Sequence, residues 1–214
     1  MKSLRITEIF YSIQGESLSV GVPTVFIRLT GCPLRCTYCD TAYAFKGGKT
    51  QTIDSVIKVV KSYQTRYICV TGGEPLAQLA CVDLLDQLCA LDYQVSLETS
   101  GALPIPPDRS QNLKVVMDLK TPSSGELDKN DWDNLPRLTI NDQVKWVIGD
   151  RGDYDWAKQV IAQHQLDQKV HCLFSPVNPG LNPTELAEWI LADQLNVRLQ
   201  VQLHKYLWDN QPGK

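Results

Sequence analysis

The sequence lacks any long apolar stretch. Its longest unbroken apolar runs, such as residues 42–45 and 189–192, have four residues, whereas a membrane span needs about 18. The first residues, up to Glu8, also lack the apolar region of a secretory signal. We therefore expect no membrane-spanning segment and no signal peptide, and we expect a cytoplasmic protein.

The sequence also lacks any concentration of charge of one sign. Its 21 Lys and Arg residues against 24 Asp and Glu residues give a net charge of -3, and no segment is rich in Lys or Arg. This distribution disfavours direct nucleic-acid binding. With 214 residues, the chain can bury a core without a disulfide or a structural metal, so we predict one domain over residues 1–214.

Disulfides are not expected, although the chain has seven cysteines. The number is odd, and Cys32, Cys36 and Cys39 fall within eight positions, which favours a metal site in a reducing compartment. The other four lie in apolar strand and helix patterns, where a thiol packs as a small hydrophobe: Cys69, Cys81, Cys89 and Cys172.

Short β-branched runs alternate with segments of helical periodicity, which is typical of βαβ units. The predicted strands are 24–29, 67–71, 94–98, 114–118, 144–148, 170–174 and 198–203. The predicted helices are 53–63, 76–91, 154–165 and 184–195. We interpret residues 121–134 as a loop with at most a short helix.

Polar residues follow the predicted strands at their carboxyl ends. In parallel α/β barrels and sheets this edge is where functional sites form. The predicted fold is therefore α/β, a partial, incomplete β/α barrel of the TIM type with its active site at the mouth.

The C-x3-C-x2-C run of Cys32, Cys36 and Cys39 lies in a predicted loop. Three thiolates can hold a [4Fe-4S] cluster and leave one iron open for another molecule. The spacing alone also allows a zinc site completed by a distant Cys or His, or three unconnected thiols.

Together with Gly72-Gly73-Glu74-Pro75, this run resembles the radical S-adenosylmethionine (SAM) superfamily. The resemblance implies that the three cysteines hold a [4Fe-4S] cluster whose open iron binds SAM. Reductive cleavage of SAM would give a 5′-deoxyadenosyl radical, while the protein orients and shields the reaction. Tyr38, between the second and third cysteines, would lie near the adenine; an ordinary loop aromatic is the alternative.

The segment Gln14-Gly15-Glu16 and the lone charge Arg28 are unusual for a core. A carboxylate can accept two parallel N–H donors from a guanidine-like edge, as in pterins and guanines. The planar fork of Arg28 suits a ligand carboxylate. The alternatives are a turn with solvated side chains for residues 14–16, and an ion pair of Arg28 with Glu16 or Glu8.

The whole pattern, from about residue 5 to residue 208, resembles the 7-carboxy-7-deazaguanine synthases. Its motifs are Ser-Ile-Gln-Gly-Glu-Ser, Phe-Ile-Arg-Leu, Gly-Cys-Pro-Leu-Arg-Cys-Thr-Tyr-Cys-Asp-Thr, Thr-Gly-Gly-Glu-Pro, Glu-Thr-Ser-Gly and His-Lys-Tyr-Leu. The resemblance implies a radical SAM lyase of queuosine and 7-deazapurine biosynthesis. It would convert 6-carboxytetrahydropterin to 7-carboxy-7-deazaguanine with loss of ammonia, and it would require Mg²⁺.

The resemblance also implies the site residues. Those assigned to the substrate are Ile13, Gln14, Gly15, Glu16, Arg28, Thr71 and His204. Those assigned to SAM are Tyr38, Gly73, Glu74, Ser100, Asp118, Leu119, Lys120, Ser175, Pro176, Val177 and Asn178. Thr41 is assigned to Mg²⁺. His204 has the alternative of capping the final strand, and Lys145 is either a site residue or part of an ion pair at the barrel edge.

Two further implications of the family are a flavodoxin-like electron donor and a homodimer. The chain departs from some members because it has no long insertion between Thr41 and the glycine motif, and because residues 208–214 extend past His-Lys-Tyr-Leu. Two other hypotheses are a radical SAM activase that installs a glycyl radical on a partner enzyme and a non-catalytic zinc-binding module.

Overall fold

The computed structural model describes residues 2–209, 211 and 213. Within these residues, nine strands form one sheet: β1 (Ser3–Ile13), β2 (Pro23–Leu29), β3 (Lys49–Thr52), β4 (Tyr67–Gly72), β5 (Gln94–Thr99), β6 (Leu113–Asp118), β7 (Gln143–Ile148), β8 (His171–Pro176) and β9 (Arg198–Leu199). Their order is β3-β1-β2-β4-β5-β6-β7-β8-β9. The sheet is parallel from β2 to β9, whereas β1 runs antiparallel to both β2 and β3. It does not close, which confirms the predicted partial barrel.

Five α-helices occur in the described part of the chain: α1 (Ile53–Val60), α2 (Cys81–Ala90), α3 (Arg151–His164), α4 (Pro183–Ala192) and α5 (Leu203–Trp208). Local capping explains where several begin. The hydroxyl of Thr52 accepts from the Ser55 amide at 3.2 Å. The Asn182 side chain likewise accepts from the Thr184 amide at 2.9 Å, one residue after the proline that opens α4. None of these helices combines the length and apolar character needed to cross a membrane.

Six of the seven predicted strands are present, each within two residues of its predicted ends. The seventh prediction, 198–203, is wrong beyond Leu199. After a short pairing with β8, the chain turns and the amide of Leu203 donates to the carbonyl of Gly15 at 3.0 Å. Residues 203–208 then form α5, so His204 lies on a helix and does not cap a strand.

The first strand was not predicted from the sequence. Leu4 and Ile6 alternate with exposed residues at its start, but from Thr7 onward its side chains are partly buried or exposed. Glu8 interrupts the apolar pattern because it pairs with Arg28 on β2. The strand is therefore defined by its neighbours in the sheet rather than by its own periodicity.

Four helix boundaries and one loop differ from the prediction. Helix α1 ends at Val60 and not at residue 63, and α4 ends at Ala192 and not at residue 195. Helix α2 begins at Cys81 because Pro75–Ala77 form a separate 3-10 turn, and α3 begins at Arg151 because Asp150 accepts from the Asp153 amide at 2.9 Å. The segment between β6 and β7 contains three 3-10 helices: Pro122–Ser124, Leu127–Lys129 and Trp132–Arg137. It is therefore more regular than predicted.

The core lies along both faces of the sheet. The ring of Phe174 packs edge-on against Trp146 and Tyr154, with centroids 5.6 and 5.7 Å apart. The four cysteines outside the cluster motif are buried and free, as predicted. Burial raises the pKa of Cys81 to about 12, as it does that of Cys172, so both thiols remain neutral in the core.

Truncation of Leu84 tests how far this core stabilises the fold. Leu84 is 0% exposed on α2, whereas Leu191 is 74% exposed on α4. We expect Leu84→Ala to lower the free energy of unfolding by about 2–5 kcal/mol because it leaves a cavity. The same substitution at Leu191 should change it by less than about 0.5 kcal/mol. Urea denaturation of both variants measures the difference; equal losses would contradict the described packing.

Candidate active site

A cavity of about 270 Å³ lies at the carboxyl ends of the parallel strands. Most of the residues singled out from the sequence line it: Ile13, Gln14, Gly15, Glu16, Arg28, Cys32, Cys36, Tyr38, Cys39, Thr41, Thr71, Gly73, Ser100, Asp118, Lys120, Val177, Asn178 and His204. The structure thus brings together segments from almost the full length of the chain. This volume is close to that of a small-molecule site.

Four of the predicted SAM residues lie behind this lining: Glu74, Leu119, Ser175 and Pro176. Glu74 is fully buried, and its carboxylate accepts from the amides of Leu76 at 2.9 Å and Ser100 at 2.7 Å. It therefore ties the turn after β4 to the end of β5. Leu119 belongs to the hydrophobic core. Of these four residues, Glu74 therefore supports the wall of the cavity, whereas Leu119, Ser175 and Pro176 are buried and do not line it.

The cysteine motif forms a loop after β2. Its three thiols are free and partly exposed, and the amide of Cys39 donates to the carbonyl of Cys36 at 3.2 Å. Burial raises the pKa of Cys32 and Cys36, and the Lys120 ammonium offsets part of that rise. Lys120 thus favours the thiolate forms that bind iron.

The donor set of this loop suits an iron–sulfur cube, because three Cys thiolates can each bind a different iron. Among the residues described, no three His, Cys, Asp or Glu side chains are arranged as ligands of one metal ion. A cube needs no such arrangement, since its cysteines bind different irons. The three thiols that face one cavity are therefore a suitable ligand set for a cluster.

The cysteine loop is held from the other side by the segment after β6. Thr37 donates through its amide to the carbonyl of Ser124 at 3.0 Å and through its hydroxyl to that of Ser123 at 2.8 Å. The amide of Ser123 donates to the carboxylate of Asp153, on the first turn of α3, at 2.9 Å. A chain of hydrogen bonds thus fixes Thr37, which lies between Cys36 and Tyr38.

The glycine motif packs its backbone against the start of the cysteine loop. The amide of Glu74 donates to the carbonyl of Gly31 at 2.8 Å. A Cβ atom on Gly73 would lie 2.1 Å from that carbonyl oxygen and 2.8 Å from the Cβ of Cys32. Only glycine permits this approach. The two motifs therefore form one rigid unit, which explains why they occur together.

Two buried polar atoms of residues predicted to bind SAM have no partner within the described residues: the hydroxyl of Tyr38 and Oδ1 of Asp118. Burial raises the pKa of Tyr38 to about 12, so it is a neutral hydrogen-bonding group. Buried polar groups without partners are rare in folded proteins. Both atoms belong to residues that line the cavity, and a polar ligand there would satisfy them.

The opposite side of the cavity is built around Gln14 and Glu98. Gln14 is 3% exposed; its amide nitrogen donates to Oε1 of Glu98 at 3.3 Å, and its oxygen accepts from the Glu16 amide at 3.2 Å. The hydroxyl of Thr71 donates to Oε2 of Glu98 at 3.1 Å. This burial excludes a turn with solvated side chains. Glu98 orients two predicted substrate residues, and the sequence interpretation had not assigned it a role.

Glu16 forms the ion pair that had been the alternative for Lys145. The Lys145 ammonium lies 2.6 Å from Oε2 of Glu16, and the Gln202 amide donates to Oε1 at 2.7 Å. Burial would raise the pKa of Glu16, but Lys145 outweighs it and the pKa lies below its usual value. The carboxylate is therefore ionised, and Lys145 itself lines the cavity.

Arg28 forms an ion pair with Glu8 and also lies at the cavity. Its Nε atom pairs with Glu8 at 2.7 Å, and its guanidinium carbon lies 5.7 Å from the ring centroids of Phe10 and Tyr43. It also lines the cavity. The ion pair uses Nε, so the fork remains suited to a ligand carboxylate.

Thr41 lies beside an ionised carboxylate at the rim. Its hydroxyl donates to Oδ1 of Asp40 at 2.9 Å, and Oδ2 of Asp40 lies 3.0 Å from the Lys205 ammonium. Burial opposes ionisation of Asp40, but Lys205 outweighs it and lowers the pKa to about 2. Hydroxyl and carboxylate oxygens are ligands that Mg²⁺ accepts.

Helix α5 crosses the mouth and completes the site. A Cβ atom on Gly15 would lie 2.3 Å from Nδ1 of His204, so the helix seats directly on residues 14–16. Gln202, directly before α5, donates to Glu16, and Lys205 on α5 pairs with Asp40. The sequence analysis assigned neither residue to the site: Gln202 fell within a predicted strand, and Lys205 followed it without a predicted partner.

The chain is similar to known proteins over nearly its whole length. Residues 26–192 match the model of the Radical SAM superfamily. A 7-carboxy-7-deazaguanine synthase of Chlorobaculum tepidum is 44% identical over 211 residues, which cover 96% of this chain and 94% of that protein. The corresponding synthase of Koribacter versatilis is 40% identical over 220 residues, with coverage of 96% and 97%.

Solved structures give the same relationship. QueE from Escherichia coli aligns with a TM-score of 0.77 at 25% identity, covering 94% of this chain and 95% of that chain. SuiB of Streptococcus suis, solved with S-adenosylmethionine, aligns with a TM-score of 0.55 at 12% identity over 80% of this chain and 45% of its own, which is a likeness of fold alone. The superfamily match implies a [4Fe-4S] cluster and SAM, so the zinc-module hypothesis is not retained.

The close contact at Gly73 predicts a matched pair of glycine variants. We expect Gly73→Ala to lower the free energy of unfolding by about 1–3 kcal/mol, because the new methyl group meets backbone atoms. Gly152 lies on α3, where a Cβ atom would meet only the side-chain oxygen of Asp150 at 3.2 Å. Gly152→Ala should therefore cause no loss. Urea denaturation distinguishes the two, and a harmless Gly73→Ala would contradict the described contact.

Proposed function

Because the chain belongs to the 7-carboxy-7-deazaguanine synthase family of the radical SAM superfamily, we propose that the barrel-mouth cavity is where the family reaction takes place. That reaction converts 6-carboxytetrahydropterin to 7-carboxy-7-deazaguanine with release of ammonia, in queuosine and 7-deazapurine biosynthesis. The observation that carries the proposal is the joint enclosure of the cysteine loop, the glycine motif and residues 14–16 in one cavity.

We propose Cys32, Cys36 and Cys39 as the ligands of the [4Fe-4S] cluster. When bound and reduced, the cluster and SAM supply the radical chemistry that removes a substrate hydrogen. The chain's own part is to hold the loop still and to exclude water. The bonds from Thr37 to the segment after β6 and the packing of Gly73 on Gly31 support that role.

The residues proposed for SAM binding fall into two groups: those that line the cavity and those that are buried next to it. The residues proposed to face SAM are Tyr38, Gly73, Ser100, Asp118, Lys120, Val177 and Asn178. Glu74, Leu119, Ser175 and Pro176 are proposed to hold the wall of the cavity in place from behind. The partnerless atoms of Tyr38 and Asp118 support this assignment, because SAM carries both donors and acceptors.

The pterin side has charges that match the substrate. Glu16 is an ionised acceptor, which suits the guanidine-like N–H edge of the pterin. Arg28 offers a cation to its carboxylate. Gln14, Thr71 and His204 add polar groups, while Ile13 and Gly15 are proposed to contact the ring through their backbone.

We propose Thr41 as the Mg²⁺ ligand. The adjacent Asp40 carboxylate and the open rim support this, since Mg²⁺ takes few protein ligands and keeps several waters. The remaining coordination would come from water and from substrate oxygens.

Several wider features belong to the same proposal. A flavodoxin-like protein would reduce the cluster, and the enzyme would act as a homodimer. The seven free cysteines support a reducing compartment such as the cytoplasm. The core that runs along the sheet supports one domain over residues 1–214, of which Met1, Asn210, Pro212 and Lys214 lie outside the described residues.

Anaerobic reconstitution tests the proposed function. The protein is loaded with iron and sulfide, reduced with dithionite, and supplied with SAM, Mg²⁺ and 6-carboxytetrahydropterin, and the products are followed by mass spectrometry. We expect 7-carboxy-7-deazaguanine. If 5′-deoxyadenosine forms without that product, the radical chemistry stands and the substrate is wrong.

Two cysteine variants test the cluster ligands. Cys36→Ala should abolish both the broad visible absorption of the cluster and product formation while the protein stays folded, because the core does not depend on the metal. Cys172→Ala is the matched control, since Cys172 is a buried thiol on β8. It should retain a full content of iron and sulfide. Substantial turnover by Cys36→Ala would contradict the assignment.

A threonine variant tests the magnesium site. Thr41→Ala should raise the Mg²⁺ concentration for half-maximal activity by about tenfold or more, because it removes an oxygen ligand worth about 1.4 kcal/mol or more. Thr184→Ala, at the exposed start of α4, should leave the titration unchanged. If the two variants titrate alike, the metal has another ligand.

A further inference from the structure

Lys145 lies on β7 between the two sides of the cavity, and the proposed function gives it no task. It is paired in register with Asp118 on β6. Its side chain is 13% exposed, and its ammonium lies 2.6 Å from Glu16 and 3.8 Å from Asp118. A buried lysine in direct contact with a ligand-binding carboxylate needs an explanation in terms of the site.

We propose that Lys145 is a positioning residue for substrate binding. Its ammonium fixes the Glu16 carboxylate in the orientation in which it accepts the two N–H donors of the substrate, and it supplies the counter-charge of that carboxylate. This inference rests on the proposed function, because it takes Glu16 as the ligand of the pterin edge.

The hydrogen bonds of Glu16 leave room for this arrangement. Lys145 occupies one acceptor site on Oε2, and Gln202 occupies one on Oε1 at 2.7 Å. A carboxylate has about four lone-pair sites, so each oxygen still has one free for a parallel pair of donors. The two protein partners come from different elements, β7 and the residue before α5, and together they set the plane of the carboxylate.

The charges around Lys145 identify it as a fixed cation and not a proton donor. Glu16, Asp118 and Glu98 face it, and Lys120 is a further cation that interacts with it. Burial alone would lower the pKa of Lys145, but the three carboxylates outweigh it and the pKa lies well above its usual value. The ammonium therefore keeps its charge at neutral pH and does not release a proton during the reaction.

The charge of Glu16 depends on this cation. Burial raises the pKa of Glu16 and the Asp40 carboxylate raises it further, whereas Lys145, together with the Gln202 hydrogen bond, brings it below its usual value. Loss of Lys145 should therefore raise the Glu16 pKa, because Lys145 makes the largest lowering contribution. A protonated Glu16 would meet the substrate's N–H groups with a donor where an acceptor is needed.

The test is Lys145→Met in the full-length, reconstituted enzyme, with Lys158→Met as its control. Lys158 pairs with Asp193 on the outer face of the barrel. We expect Lys145→Met to raise the KM for 6-carboxytetrahydropterin at pH 7 by about tenfold or more, a loss of about 1.4 kcal/mol or more. The value of kcat, the iron content and the Kd for SAM should each stay within about twofold, as should all parameters of Lys158→Met.

The pH dependence distinguishes a positioning role from a merely structural one. In Lys145→Met, Glu16 should ionise at a higher pH than in the unmodified enzyme, so the KM of the variant should fall as the pH rises. The unmodified enzyme should show no such change near neutral pH, since its Glu16 pKa already lies below the usual value. Lys145→Arg keeps the cation and should therefore restore the flat pH profile of the KM. If Lys145→Met does not fold, the KM and its pH profile are measured on Lys145→Arg instead.

A double-mutant cycle with Glu16→Gln completes the test. If Lys145 acts through Glu16, Lys145→Met should raise the KM by less than about twofold in the Glu16→Gln background. An undiminished effect there, a flat pH profile in Lys145→Met, or an equal loss of SAM binding would each overturn the inference. These outcomes are distinct from failure of the proposed function, in which the unmodified enzyme itself forms no 7-carboxy-7-deazaguanine.

Discussion

The parallel pairing of β2 with β4 is the interaction on which the site depends. Leu29 and Gly72 stand opposite each other at the ends of these strands, so the chain continues from both at the same edge. The Gly73 amide then donates to the Leu29 carbonyl at 3.1 Å, and the Glu74 amide to that of Gly31 at 2.8 Å. The cysteine loop and the glycine motif, about forty residues apart in the chain, are thus joined through backbone hydrogen bonds. The rest of the cavity is arranged around them.

Charged side chains from several elements extend this edge, and three of their carboxylates form ion pairs with lysines. Asp118 lies 3.2 Å from Lys120, Glu16 2.6 Å from Lys145 and Asp40 3.0 Å from Lys205. Such pairs add little net stability, because both partners lose hydration, but removing one partner leaves an uncompensated buried charge. Their effect is therefore to specify one arrangement of β6, β7, the cysteine loop and α5 at the mouth.

Most of the fold could be predicted from the sequence, and most of the predicted site residues line one cavity, for a physical reason. The central parallel strands have near-continuous apolar sequences because both of their faces are buried. The cysteine loop and glycine motif are also local, since spacing and the lack of a side chain define them. By contrast, β1 and α5 depend on contacts with distant residues, such as the pairing of Glu8 with Arg28 and the seating of His204 on Gly15. Neither contact leaves a periodic signal in the chain.

The same distinction separates the two sides of the cavity. The residues proposed to bind SAM include the thiols and the glycine backbone of two motifs that are recognisable in the sequence, together with the ion pair of Asp118 and Lys120. The residues proposed to bind the pterin include two charges whose counter-ions are already in the protein: Glu8 for Arg28 and Lys145 for Glu16. Because these counter-ions hold the charges in place before a ligand arrives, binding need only replace water at the free donor and acceptor sites. Such preorganisation reduces the reorganisation that binding requires. Lys145 and Glu8, the counter-ions of Glu16 and Arg28, are therefore also part of the site.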